Sequence, residues 1–146
     1  MTEAQALRER LNTLAYLNNL GVDEIALSCA FVPPGTNLET QFNAGQFRPP
    51  WLWSIIEIIK AAKENSWPLS VGGFEDTPPP VATPNNCPSC DEHILQQIEN
   101  HRLTNNTQQI SSLTCQCKEQ WQTQVDNSEV SIKTHNKVDY ELIQTS

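Results

Sequence analysis

Four of the five cysteines fall into two close pairs, Cys87-Pro88-Ser89-Cys90 and Cys115-Gln116-Cys117. A C-x-x-C turn holds two sulfurs about as far apart as two ligands of a tetrahedral zinc ion, and a second pair on a separate segment completes a set of four. Thiolates suit zinc because they are soft, charged ligands that bind it without redox chemistry. The stretch between the pairs is long enough to fold back as one helix and a loop. Four thiolates leave no open coordination position, so such an ion is structural and not catalytic. C-x-x-C with C-x-C is less specific than two C-x-x-C pairs. Free thiols, a thioredoxin-like redox pair at Cys87 and Cys90, and an iron–sulfur cluster are the competing readings. A proline-rich loop, not a strand, precedes Cys87, and this weighs against the redox pair.

Other residues offer weaker chemistry. His93, His101 and His135 are too dispersed to form a ligand set by spacing, and His93 reads as a solvent-facing helix position. Glu75-Asp76 lies just beyond a predicted strand, where ligands of α/β proteins tend to sit, but solvated loop acids are the plainer reading. Gly72-Gly73 fits a close backbone approach or simply a bend at the strand end. Cys29, inside an apolar run, reads as a small core residue. No serine, cysteine or lysine sits in a nucleophile motif, and no phosphate loop occurs.

The chain carries 17 acidic and 9 basic residues, a net charge of −8. The basic residues are scattered, whereas phosphate binding needs clustered Lys and Arg, so direct nucleic-acid binding by this chain alone is not expected. With 146 residues and 38% hydrophobic side chains, a real core can form without metal. No run of about 18 apolar residues spans a membrane. The opening MTEAQALRERLNTL has no signal-peptide core. A cytoplasmic location is therefore expected, and in that reducing compartment disulfides are not.

Several elements must position these groups. Leu7, Leu11, Leu14 and Leu17 recur at helical spacing over residues 2–20, with Thr2 and Gln5 as a capping box and Gly21 as the C-terminal glycine. The run 25–32 (IALSCAFV) predicts a parallel strand buried on both faces. A short helix is expected over 37–46, and a longer one over 51–64 opened by Pro50. Trp51 and Trp53, two apart, cannot share one face of that helix, so one is expected in the core and the other over a neighbouring surface. Residues 69–74 predict a second strand. Helices are expected over 91–103 and 118–125, a strand over 130–132, and a loosely ordered tail. The order suggests an α/β fold in four parts: a βα barrel segment over 1–76, a proline-rich linker over 77–86, a zinc lobe over 87–125, and a polar tail over 126–146.

The stretch from Phe31 to Ile59 resembles the later barrel segment of radical SAM proteins related to the elongator catalytic subunit, and above all the group that includes the radical SAM subunit of archaeosine synthase. The likeness is carried by Pro34-Gly35-Thr36 and by Phe47-Arg48-Pro49-Pro50-Trp51-Leu52-Trp53-Ser54. Downstream, Asn86-Cys87-Pro88-Ser89-Cys90-Asp91 and Cys115-Gln116-Cys117-Lys118-Glu119-Gln120-Trp121 are similar to that group's cysteine lobe, so the likeness runs over about residues 5–125. The resemblance implies a partial TIM-like barrel that works with a [4Fe–4S] cluster and S-adenosylmethionine in tRNA modification. It also implies that strand-end residues Asn37, Gly72, Gly73 and Glu75 lie near S-adenosylmethionine or substrate. This sequence contains no C-x-x-x-C-x-x-C, the spacing that holds the family's cluster. The expectation is thus the C-terminal half of such a protein, inert alone, whose partner is a separately encoded N-terminal half or a second copy. A zinc-stabilised adaptor that binds an unrelated protein is the alternative.

Overall fold

A computed structural model describes residues 2–126; the strand expected over 130–132 and the tail lie outside them. The first helix, α1 (Glu3–Asn19), starts at the expected capping box. The Gln5 backbone N–H donates to the Thr2 hydroxyl at 3.1 Å, and the Thr2 N–H donates to the Gln5 side chain at 2.9 Å. Its leucine stripe is buried through Leu7, Leu11 and Leu14, together with Ala4 and Ala15. Gly21 ends the helix at φ +80, a left-handed conformation that glycine adopts without penalty.

The strand β1 (Ile25–Leu27) pairs in parallel with β2 (Leu69–Val71), in the register Ile25 to Leu69, Ala26 to Ser70 and Leu27 to Val71. Both strands are shorter than the sequence pattern suggests. Burial alternates through Ile25, Leu27 and Cys29, while Ala26 and Ser28 are exposed. The expectation of a strand buried on both faces is thus corrected: an apolar run cannot reveal how many neighbours a strand will find. Further along, Val32 forms an isolated antiparallel bridge with Ala82. At the end of β2, Gly72 donates its N–H to Leu27 at 2.9 Å, and a Cβ there would sit 3.3 Å from the same carbonyl oxygen.

Between the strands run α2 (Asn37–Asn43) and α3 (Leu52–Asn65). The latter is buried at ten of its 14 positions, as a helix enclosed by others must be. Pro50 does not open it. Trp51 is its extended N-cap, held there because its N–H reaches Glu3 and the Leu52 N–H reaches the Asn85 carbonyl. As a result Trp51 and Trp53 are both buried, the first before the helix and the second within it. After the proline-rich stretch come α4 (Asp91–Thr104), α5 (Gln108–Ser111) and α6 (Cys117–Asp126). Helix α3 packs on α1, α4 and α5, and α1 also packs on α6. One hydrophobic core therefore joins residues from α1, α3, α4 and α6 with both strands. No helix among the described residues is long and apolar enough to cross a membrane.

Candidate metal centre

The backbone folds each cysteine pair into a tight turn. Cys90 and Asp91 donate their N–H groups to the Cys87 carbonyl, and Lys118 donates to that of Cys115. Cys90 is the N-cap of α4 and Cys117 the first residue of α6, so the positive ends of two helices point toward the sulfurs. The Sγ atoms of Cys87 and Cys90 lie 3.6 Å apart, those of Cys87 and Cys115 3.7 Å, and those of Cys90 and Cys117 3.6 Å. All four fall within 4.8 Å of one another. A tetrahedral zinc with Zn–S bonds of about 2.3 Å has sulfurs about 3.8 Å apart. The donor set thus fits a tetrahedral ion, and the four cysteines can hold a metal.

Cys90 and Cys117 are buried, whereas Cys87 and Cys115 stand nearer solvent. Burial raises the Cys90 thiol well above its usual range and pushes Cys117 up to about 11, although the Trp53 indole pulls the latter down. At Cys87 the cost of desolvation is outweighed by hydrogen bonds from Cys90, Cys117 and Cys115, which bring it down to about 7. Four thiols this close cannot all ionise unaided, and a divalent cation removes that conflict.

A layer of groups outside the cysteines fixes them. The Trp53 indole N–H donates to Cys117 Sγ at 3.3 Å. Asn86, just before Cys87, accepts the Trp53 backbone N–H at 3.1 Å and donates its own N–H to Asp91. Arg48 donates to the carbonyl and side-chain oxygens of Asn85, at 3.0 and 2.6 Å, and stacks 4.2 Å from the centre of the Trp51 ring. The Arg48-Pro49-Pro50-Trp51 stretch therefore clamps the chain that leads into the first cysteine pair. Sequence reasoning missed Arg48, Asn85 and Asn86 in this role. The Asn-Asn step directly before Cys87 was the available signal.

The remaining candidates separate. Gly72, Gly73 and Glu75 line a cavity of about 700 Å³ together with Glu92, Glu99 and Arg102. Arg102 closes one wall, donating to the Val71 carbonyl at 2.9 Å and to Glu99 at 2.6 Å. Asn37 is exposed at the start of α2 and is not among the lining residues. His93 is exposed, while His101 is buried with Nδ1 3.4 Å from the Asn106 carbonyl. His135 lies outside the described residues.

The chain is 35% identical over 99 residues to archaeosine synthase subunit beta of Methanosarcina acetivorans, covering 68% of this chain and 29% of that protein. The chain is a relative of archaeosine synthase subunit beta. The subunit of the same name from Thermococcus kodakarensis is 26% identical over 113 residues, covering 72% of this chain and 33% of that protein. An uncharacterised protein of Methanocaldococcus jannaschii is 30% identical over 129 residues, covering 86% of this chain and 35% of that protein. This chain thus spans about a third of the length of the curated relatives it matches. No protein-family model matches it, and no solved structure is significantly similar.

Proposed function

We propose that this chain supplies barrel-end segments and a structural zinc site to a radical SAM enzyme of tRNA modification, in the manner of archaeosine synthase subunit beta. The observation that carries the reading is the convergence of Cys87, Cys90, Cys115 and Cys117 within 4.8 Å, in a chain 35% identical to that subunit over 99 residues. In this reading residues 1–76 are a barrel segment, 77–86 a linker and 87–125 the zinc lobe. The parallel pairing of β1 and β2 around α2 and α3 is compatible with one repeat of such a barrel.

A [4Fe–4S] cluster with S-adenosylmethionine supplies the radical chemistry when bound, and it requires a C-x-x-x-C-x-x-C that this sequence lacks. A separately encoded segment provides it, since a second copy of this chain lacks the motif too. The cavity beside Gly72, Gly73 and Glu75 lies at the end of β2, where a completed barrel would face its substrate. The glycines allow close approach there, and Glu75 offers a carboxylate. Asn37 is the weakest member of that set, since it does not reach this cavity.

Two measurements test the reading. Protein purified without oxygen is expected to hold about one zinc per chain, with no iron or acid-labile sulfide. Iron with matching sulfide would turn the cysteines into a cluster site. A strain lacking the gene is expected to lose one modified nucleoside from its tRNA, and Cys90→Ser should fail to restore it. An unchanged nucleoside profile would leave the zinc-stabilised adaptor as the better account.

A further inference from the structure

The hydrogen bond from the Trp53 indole to Cys117 crosses from α3 to the first residue of α6, linking the most buried helix to the second cysteine pair. Trp53 is 2% exposed and Cys117 7%, so water cannot replace the donor if it is removed. The Lys118 ammonium lies 5.3 Å from the centre of the same indole ring, over its face. A cation there pulls the ring's π density toward itself and so makes the indole N–H a better donor. Asn86 holds the Trp53 backbone in turn, next to the first cysteine pair.

We infer that Trp53 is a positioning residue for the metal centre: its indole N–H orients the Cys117 thiolate and draws off part of its charge. This inference rests on the reading that the four cysteines hold zinc. A closed zinc site of four thiolates carries two surplus negative charges, and a buried N–H aimed at a sulfur offsets part of that charge. Trp53 also ties metal occupancy to α3, because the donor is fixed at one side chain of a helix buried at ten of its 14 positions.

The experiment compares Trp53→Phe with Trp121→Phe in the full chain. Both remove one buried indole N–H from the same core, but the N–H of Trp121 goes to the Ser54 hydroxyl at 2.8 Å and not to a sulfur. Zinc affinity is read by competition with a chromogenic chelator. Trp53→Phe is expected to weaken it about 10- to 100-fold, the usual cost of losing an outer partner of a metal ligand. Trp121→Phe should leave it within about twofold of wild type. In the cobalt-substituted proteins, the sulfur-to-cobalt charge-transfer bands should move to lower energy in Trp53→Phe alone. Equal affinities and spectra in the two variants would overturn the positioning role while leaving the zinc site intact. A wild-type protein that binds neither zinc nor cobalt would overturn the zinc reading itself, and this inference with it. If Trp53→Phe does not fold, NMR of wild type loaded with NMR-active cadmium decides. Scalar coupling between the metal and the Trp53 indole proton supports the role, and absence of coupling with cadmium bound refutes it.

Discussion

Cys29 and Cys117 are each 7% exposed, and burial raises both thiols to about 11. Their surroundings differ. Cys117 has three other sulfurs and an indole N–H, while Cys29 sits in an apolar run where a nearby Arg10 only partly offsets the cost of ionisation. Cys29 is therefore kept neutral in the fold. The sign of the linkage follows: the unfolded thiol ionises near 9, the folded one near 11, so the unfolded state gains charge first as pH rises. The stability associated with Cys29 is fully present below pH 9 and is lost between about 9 and 11. Comparing urea unfolding of zinc-loaded wild type with Cys29→Ala across that window is expected to show the gap narrowing as pH rises. A constant gap would mean that Cys29 is not held neutral. Alkylation at pH 7 should likewise spare Cys29 until the chain unfolds.

At the scale of elements, one serine holds three helices together. Ser54 on α3 donates its hydroxyl to Glu3 at 2.6 Å and accepts the Trp121 indole N–H from α6 at 2.8 Å, and the Trp51 indole reaches Gln124 at 3.1 Å. Ser54→Ala leaves the Trp121 donor buried with no acceptor, which should cost about 1–3 kcal/mol with zinc saturating. The same change in a Trp121→Phe background should cost clearly less, because the stranded donor is gone. Equal costs in both backgrounds would show that the hydroxyl does not bridge α3 to α6. None of this network was legible in the sequence, since Ser54 and Trp121 are 67 residues apart and each looks ordinary alone. What was legible is local. The Thr2–Gln5 capping box, the leucine spacing of α1, the helices beginning at Asp91 and Cys117, and the two cysteine pairs all write their geometry into neighbouring residues. Strand length was not, because it depends on a partner strand that no local pattern can show. The turn of helix at Gln108–Ser111 also escaped, being too short to carry a period.

For the molecule as a whole, the question is whether metal loss is confined to the cysteine region. Cys90 and Cys117 belong to the same hydrophobic core as Leu7 and Leu11 of α1 and Ile55 and Ile59 of α3. Helices α4 and α6 begin at cysteines, and α6 packs on α1. Without a cation, the thiols that those helix starts bring together cannot all ionise, and their helices lose the tie that fixes their first turns. The disturbance then has a direct path into α1, through Trp121 and Val125 on the buried face of α6. If the proposed zinc is bound, removing it with a strong chelator under reducing conditions is expected to lower the midpoint of thermal unfolding and to keep a single transition. Amide hydrogen exchange should speed up in α1 as well as in α4 and α6, because a shared core opens as one unit. If α1 keeps its full protection while α4 and α6 lose theirs, residues 87–125 form a separable lobe whose metal stabilises only itself. The shared core favours the first outcome: the zinc would then stabilise the whole described fold, including the cavity beside Gly72 and Gly73, and not only the cysteine loops.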